Sequence, residues 1–440
     1  MKKIIKLMVS CLVFCILCIG IGKFFRYLLS DDASSYTRVT FHEMYEQDNI
    51  DILFVGSSLC YKGFIPEIFD EKLGLNTFNA GTSGQHLDGS YMVIKEAAKY
   101  HDIKHIYLEL YHNIARSTPY KSRKELTQTY IISDYLRPSL DKFLYMLNAS
   151  GSDHYANSFI VARRNWTKLF DMDYMKNVIA RKRTDAYKKY DYKYITGESE
   201  WYAGKGYVAN SKVIKDWDYF YDYGLEDVAL DDVSEDWMCS LEDIIAFCAK
   251  RNIPLTLVAA PMSDYRLTGF GDYDRYIELV QSLIEGTDVD YYDFNLCKEE
   301  FFPSTSSLFM DDHHLNCHGA ERFSSLFADF LNGEISEDEL FHESYAERAA
   351  CMEPTVFGIK YQDHEDDNGR QVRECKIIAT ENRELEYEIV LSPSEEEPYM
   401  IQEFSDNDLF AVMPDEHGVI TVTYRPSDRP DITKVCNVSY

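Results

Sequence analysis

The chain has 440 residues, which is enough for two or three domains with their own hydrophobic cores. Hydrophobic residues make up 45% of it and aromatic residues 14%, and this composition excludes a largely disordered protein. A formal net charge of −29 argues against a nucleic-acid partner.

The first thirty residues have the pattern of a membrane anchor. Three lysines precede an uncharged run at residues 7–22, and Lys23 and Arg26 follow it. Residues 24–29 extend the apolar run if these two cations reach the membrane interface. We predict an uncleaved single-pass anchor at residues 1–30, with the remainder of the chain outside the cell membrane. The alternative is a cleaved signal peptide, which also places the remainder outside the cytoplasm.

Five short apolar runs are typical of buried parallel strands. They cover residues 51–55, 75–79, 103–109, 253–259 and 289–294. Helical patterns lie between several of them, at residues 66–73, 89–100, 241–250 and 273–284. This alternation predicts an α/β fold with a parallel sheet and helices on both faces. An active site is then expected beyond the carboxyl ends of the strands.

The alternation stops at residues 114–235, a stretch too long for a loop, so we predict an inserted cap. Residues 155–223 hold eleven Tyr and three of the four Trp, and residues 163–193 carry ten Lys or Arg against four Asp. Aromatic rings stack on sugars and cations attract anionic polymers, so Trp201, Tyr207 and Trp217 are candidate substrate-binding residues. The alternative is that the aromatics pack a helical cap whose cations form a solvated face.

The C-terminal part differs from the rest of the chain in its sequence pattern. From residue 350 to 440, short apolar runs alternate with charged ones and with turn signals, which predicts a β-sandwich-like accessory domain. Three of the eleven cysteines lie in the predicted anchor, and the other eight are scattered, with no C-x-x-C pair and no zinc spacing. Some could pair as disulfides in an oxidising compartment, whereas Cys248 lies in an apolar pattern typical of a buried thiol.

Four short polar segments are placed where they should follow predicted strands. They are Gly56-Ser57-Ser58-Leu59, Asn79-Ala80-Gly81-Thr82-Ser83-Gly84, Glu109-Leu110-Tyr111-His112-Asn113 and Asp311-Asp312-His313-His314-Leu315-Asn316. Ser58 supplies a nucleophile before a helix expected to begin at Pro66. The turn glycines Gly81 and Gly84 can offer a backbone N–H as an oxyanion donor, and the Asn113 amide can be a further donor. Taken singly, each of these residues is also typical of an ordinary turn.

The fourth segment supplies an acid–base pair. Asp311 and His314 alone have the D-x-x-H spacing, which sets a carboxylate against Nδ1 and leaves Nε2 for the serine proton. His313 and His318 are then expected to be exposed or supporting residues. A metal site is the competing interpretation of Asp-Asp-His-His, although no partner cluster with ligand spacing occurs elsewhere in the sequence.

Together the four segments resemble blocks I, II, III and V of the SGNH hydrolases, also called the GDSL family. The resemblance covers about residues 50–113 and 236–332 and implies a flavodoxin-like three-layer sheet, with core parts at 31–113 and 236–333. It implies that Ser58 is the nucleophile, His314 the base and Asp311 its orienting partner. It also implies an oxyanion hole of the Ser58 and Gly84 N–H groups and the Asn113 amide, with no metal or cofactor.

Two positions depart from the family pattern. Ser57 replaces the usual Asp, and Tyr111-His112 replaces the small residues before Asn113. A Ser in place of this Asp also occurs in membrane-anchored branches of the family. These are the D-alanyl-lipoteichoic acid transfer proteins and the SGNH-like partners of polysaccharide O-acetyltransferases, and the anchor and the large insertion of this chain resemble them as well.

This resemblance implies a serine esterase or O-acyltransferase that acts on acyl groups of a cell-envelope polysaccharide or related polymer. Two alternatives stay open. One is a catalytically inactive, SGNH-like protein that binds glycan through the aromatic insertion and the β-rich domain. The other is a subunit of an acylation complex that exchanges acyl groups with a multispanning membrane partner.

Overall fold

The computed structural model describes residues 2–115, 123–191, 193, 197–229, 232–366, 369–415 and 417–440. The helices are α1 (Lys2–Leu29), α2 (Tyr36–Glu46), α3 (Ser58–Gly63), α4 (Pro66–Leu73), α5 (Leu87–Ala97), α6 (His112–Ala115), α7 (Arg123–Ser133), α8 (Leu140–Ser150), α9 (Tyr155–Phe159), α10 (Val161–Arg164), α11 (Met172–Lys182), α12 (Asp185–Lys188), α13 (Glu235–Arg251), α14 (Asp264–Phe270), α15 (Asp274–Ile284), α16 (Cys317–Leu331), α17 (Glu337–Leu340) and α18 (Tyr345–Cys351). The strands are β1 (Ile52–Val55), β2 (Thr77–Asn79), β3 (His105–Glu109), β4 (Glu200–Gly204), β5 (Tyr207–Asn210), β6 (Phe220–Asp222), β7 (Leu255–Ala259), β8 (Asp290–Asp293), β9 (Val356–Glu365), β10 (Gln371–Ala379), β11 (Leu385–Pro393), β12 (Tyr399–Ser405), β13 (Leu409–Val412), β14 (Gly418–Pro426) and β15 (Lys434–Ser439).

A five-stranded parallel sheet forms the centre of the fold, in the order β2-β1-β3-β7-β8. Its strands are the five predicted ones, and β1, β2 and β7 are buried along their whole length. The helix pairs α4/α16 and α5/α13 pack beside it. The predicted α/β fold is therefore confirmed. Because the chain reverses direction across the sheet between β1 and β3, the carboxyl ends of these strands open a crevice there.

The inserted residues distribute over three places. Helices α7 and α8 pack on α5, and α10 and α11 pack on α1. The hairpin β4–β5 lies against α3, with Tyr207 in the main core. Strand β6 pairs in parallel with β9, so it belongs to a C-terminal sheet. The insertion therefore contains strands as well as helices, and it is not a purely helical cap.

The C-terminal part has two four-stranded sheets, β13-β10-β9-β6 and β12-β11-β14-β15. Their strands pair antiparallel except for β6 with β9. One core joins both sheets, since Ile359 and Cys375 of the first pack with Ile389 and Val422 of the second. In β11, buried and half-buried residues alternate, as expected for a strand with one face on a core. The β-sandwich-like prediction for this region is confirmed.

The N-terminal helix α1 has 28 residues, and its apolar window has a mean hydropathy of 2.7 with none of it buried. It is long and apolar enough to cross a membrane, and a signal sequence has the same properties. All eleven cysteines are described, and each is a free thiol rather than part of a disulfide. Cys248 is buried, as expected.

Candidate active site

Ser58 lies at the carboxyl end of β1, as the first residue of α3. The sequence pattern predicts the next helix only from Pro66, and this prediction misses α3. The short helix forms because Ser57 caps it: the Ser57 hydroxyl accepts a hydrogen bond from the Leu59 N–H at 3.3 Å. The Ser58 N–H consequently has no acceptor within the helix and is free to serve as an oxyanion donor.

The structure brings Ser58, His314 and Asp311 into one hydrogen-bonded chain. His314 Nε2 lies 2.7 Å from Ser58 Oγ, and His314 Nδ1 lies 2.9 Å from Asp311 Oδ2. Asp311 also accepts the backbone N–H of His314 at 2.8 Å, which fixes the carboxylate under the imidazole. This is the spacing that a general base needs to remove a serine proton.

Burial and the neighbouring charged groups have opposing effects on the pKa values of Asp311 and His314. Burial would raise the pKa of Asp311, but the hydrogen bond from His314 and the two adjacent imidazoles bring this pKa well below its usual range. Burial lowers the pKa of His314 and Lys62 lowers it further, while Asp311 opposes both. At neutral pH the pair is therefore a carboxylate and a neutral imidazole, the form that can accept a proton.

The pH dependence of turnover follows from the lowered pKa of His314. The neutral base persists below pH 6.5, the ordinary value, and is lost only as the pH falls through the lower pKa. We expect the acid limb of kcat/KM for an uncharged ester to have its midpoint below pH 6.5. A pH profile from 4 to 8 measures it, and a midpoint clearly above 6.5 would contradict the prediction.

A second Asp–His pair lies beside the first. His313 Nδ1 is 2.7 Å from Asp312 Oδ1, and the His313 ring stacks on Tyr111 with centroids 5.6 Å apart. Asp312 is buried, accepts the Tyr223 hydroxyl at 2.7 Å and lies 3.4 Å from Arg266. His313 is half-buried and His318 is exposed, and their supporting role stays a prediction.

The same segment also contains a set of metal-ligand atoms. Donor atoms of Asp311, His313 and His314 lie within 4.8 Å of one another. Both ring nitrogens of His314 already have partners in the serine chain. A metal ion bound by His314 would therefore replace one of those hydrogen bonds.

Glu109 was not singled out from the sequence, and it lies directly behind the nucleophile. At the end of β3, its Oε2 accepts the Ser57 N–H at 2.6 Å and the Ser57 hydroxyl at 2.8 Å. Its Oε1 is buried and has no hydrogen-bond partner among the described residues. Burial raises the pKa of Glu109 to about 7, although the hydrogen bonds from Ser57 oppose the shift. Glu109 therefore holds the residue that replaces the expected Asp.

Glu109→Gln should change how stability depends on pH. The folded-state pKa of Glu109 lies above its unfolded value, so its stabilising contribution is full below about pH 4.5 and is lost as the pH rises through about 7. Glutamine keeps an acceptor for Ser57 but does not ionise, so from pH 5 to 8.5 the variant should gain up to roughly 3 kcal/mol relative to wild type. Denaturant unfolding at both pH values measures this, and parallel pH profiles would contradict it.

The remaining predicted oxyanion donors follow strands β2 and β3, Gly84 in a turn and Asn113 in the short helix α6. Gly84 has φ +57°, and a Cβ there would come within 2.5 Å of Gln128 Nε2 in α7, so the turn needs glycine. Asn113 is exposed, and its Nδ2 donates to the Tyr111 hydroxyl at 3.0 Å. An amide carries two N–H donors, so the other one stays available to a ligand.

The residues before Asn113 have structural roles. Tyr111 is buried, and its hydroxyl also accepts a hydrogen bond from Arg266 at 3.3 Å. His112 is buried on the opposite side, with its ring 4.0 Å from that of Phe270. The two bulky residues thus anchor α6 in the core and leave Asn113 facing out.

Comparison with solved structures finds distant similarities in structure. The chain is similar to a solved structure from Streptococcus pneumonia described as that of a proposed platelet activating factor, at 12% identity and a TM-score of 0.32. The match covers 71% of this chain and 99% of that one. No protein-family model matches the chain, and no curated protein does.

The three aromatic residues predicted to bind substrate lie in different surroundings. Trp201 is half-buried on β4, and Tyr207 is 4% exposed on β5, so little of its ring is open to a sugar. Trp217 is 47% exposed and has the Lys215 ammonium 5.0 Å from its ring. It lines a pocket with residues of β15, away from Ser58. A substrate-binding role therefore stays a prediction for Trp201 and Trp217, and the burial of Tyr207 argues against one there.

Proposed function

We propose that this protein is a serine esterase or O-acyltransferase of the SGNH type that acts on acyl groups of a cell-envelope polysaccharide or related polymer. The observation that carries the proposal is the hydrogen-bonded chain from Ser58 through His314 to Asp311 at the carboxyl edge of a parallel sheet. The helix α1 would hold the protein in the cell membrane with the sheet outside.

The geometry supports a two-step acyl transfer. Ser58 Oγ attacks the ester carbonyl carbon while His314 Nε2 takes the hydroxyl proton. The oxyanion is stabilised by the N–H groups of Ser58 and Gly84 and by the Asn113 amide. Collapse breaks the bond to the leaving alcohol, which takes the proton from His314. Water or a sugar hydroxyl then attacks the acyl-enzyme, with His314 again as the base.

The polymer substrate is proposed from the expected location of the protein and from one exposed aromatic residue in a separate pocket. A membrane anchor would place Ser58 outside the cytoplasm, on the side where cell-envelope polymers lie. The exposed Trp217 offers a ring for stacking on a sugar. A multispanning membrane protein that delivers or receives the acyl group is a further candidate partner.

Labelling with a fluorophosphonate tests the nucleophile in the full-length protein in detergent. We expect the label on Ser58, with p-nitrophenyl acetate hydrolysis that is blocked by labelling and unchanged by EDTA. Ser83→Ala, which removes an exposed serine at the same edge, should keep both label and turnover. Loss of turnover in EDTA would favour metal-assisted hydrolysis by Asp311, His313 and His314. No label and no turnover would favour the non-catalytic glycan-binding alternative.

Acceptor competition separates the two reactions. A transferase should release p-nitrophenol faster when a sugar alcohol is added and should yield the acylated sugar. A hydrolase should release acetate alone at the same rate with or without the sugar.

A further inference from the structure

A second apolar surface lies beside the end of α1. Five large apolar side chains of α9, of α11 and of the segment between them are exposed: Phe159 (39%), Ile160 (54%), Trp166 (63%), Phe170 (86%) and Met172 (60%). We call these five residues the interfacial face. Exposed apolar patches of this kind mark interaction sites on soluble domains.

The interfacial face is fixed to α1 by polar contacts. The Leu29 carbonyl, which ends α1, accepts hydrogen bonds from Asn165 Nδ2 at 3.1 Å and from the Tyr174 hydroxyl at 2.9 Å. Just beyond it, Asp31 pairs with Arg181 and Asp32 pairs with Lys182. The face therefore holds a set position relative to the last turns of the N-terminal helix.

An apolar groove of about 1040 Å³ runs between α1 and the interfacial face. Its lining is mostly aliphatic and aromatic, from residues 18–29 of α1 and residues 159–169, and Lys23, Arg26 and Arg163 are its cations. A sugar site needs hydrogen-bonding groups around its aromatic rings, which this lining offers only at the three cations. Hydrocarbon chains with anionic head groups fit both the lining and the charges.

The length of α1 indicates where this groove would lie across the membrane. At about 1.5 Å per residue the helix is roughly 42 Å long, while a bilayer's hydrocarbon core is about 30 Å thick. The excess of about 12 Å corresponds to about two turns, so the last two turns reach the outer head-group layer, where Trp side chains and cations are favoured.

We propose that the interfacial face lies in the outer head-group layer of the membrane that α1 crosses, with acyl chains of anionic phospholipids in the groove. This inference rests on the membrane-anchor part of the proposed function. It assigns the interfacial face and the groove cation Arg163 to lipid and not to the polymer. Other cations of the insertion are already paired within the protein: Arg164 with Asp134, Arg181 with Asp31 and Lys182 with Asp32.

Tryptophan quenching by brominated lipid tests this inference in the full-length protein. The chain has four Trp, and none lies in α1, so lipid contact seen by Trp reports on the folded part. In vesicles of dibromo-phosphatidylcholine and phosphatidylglycerol we expect quenching that Trp166→Phe removes and the matched Trp217→Phe retains. Phe170→Asp, at a side chain that is 86% exposed, should weaken the quenching without changing the thermal midpoint.

The outcomes distinguish a failure of the proposed membrane anchor from a failure of the proposed interfacial face. Protein that fails to float with vesicles would overturn both the anchor and this inference. Protein that floats but shows no quenching, or the same quenching in Trp166→Phe, would overturn the interfacial face alone and leave the anchor in place. Quenching that grows with the phosphatidylglycerol fraction and falls with salt would support anionic lipid as the ligand.

Discussion

Ser58→Ala is expected to lower kcat for p-nitrophenyl acetate on the order of 10⁵-fold, because no other described hydroxyl lies against His314 Nε2. Asp311→Asn should cost about 10³- to 10⁴-fold, since an amide at that position favours the wrong tautomer of the imidazole. The three residues act as a unit, so Ser58→Ala/Asp311→Asn should be no slower than Ser58→Ala alone. Initial rates at saturating ester measure all three variants.

His313→Gln is the matched control for this prediction. The hydrogen-bond partner of Ser58 Oγ is His314, whereas His313 belongs to the neighbouring pair with Asp312. It should therefore keep most of the turnover and the fluorophosphonate label. The assignment of the base would be wrong if His313→Gln were as slow as His314→Gln, and the nucleophile would be wrong if Ser58→Ala kept wild-type turnover.

Gly206→Ala is expected to destabilise the protein by about 2 to 5 kcal/mol. Lys205 and Gly206 form the β4–β5 turn with φ of +47° and +87°, as in a two-residue hairpin. A Cβ on Gly206 would overlap the carbonyl oxygen of Asn79 at the end of β2. Neither backbone can retreat easily, because the Asn79 N–H is bonded to the Lys205 carbonyl at 3.0 Å.

The same substitution should also reduce turnover. The Asn79 side chain donates to the carbonyls of Cys60 and Phe64, both at 2.9 Å, and so supports the end of α3 behind Ser58. Gly74→Ala is the control, because Gly74 has φ +66° with no atom near its Cβ position, and it should cost only about 1 kcal/mol. Thermal unfolding and ester turnover of both variants test this. Equal losses in the two would show that backbone conformation, and not the clash, sets the cost.

The central sheet could be predicted chiefly from the strands that are buried on both faces and appear as apolar runs. β1, for example, is Ile-Leu-Phe-Val and is wholly buried. Asp311 and His314 were identifiable because they are close in sequence and have a spacing that few geometries satisfy. The structure brings both to Ser58, and their catalytic role stays a prediction.

Long-range contacts explain what the sequence did not reveal. Glu109 acquires its place only because β3 pairs with β1, which sets its carboxylate behind Ser57. Strand β6 has only three residues and is defined by its pairing with β9, far along the chain. The start of α3 depends on a serine cap that is indistinguishable in sequence from an ordinary turn.

The pairing of β6 with β9 also bears on the order in which the molecule assembles. Phe220–Asp222 obtains its backbone partners from residues made much later, and Tyr223, the next residue, donates to Asp312 beside the candidate base. A chain emerging from its N-terminus therefore cannot complete this side of the crevice until the final sheets have emerged and folded. Nascent protein would stay unfinished at its reactive edge until synthesis ends, so early release would yield an impaired site and not a smaller active protein.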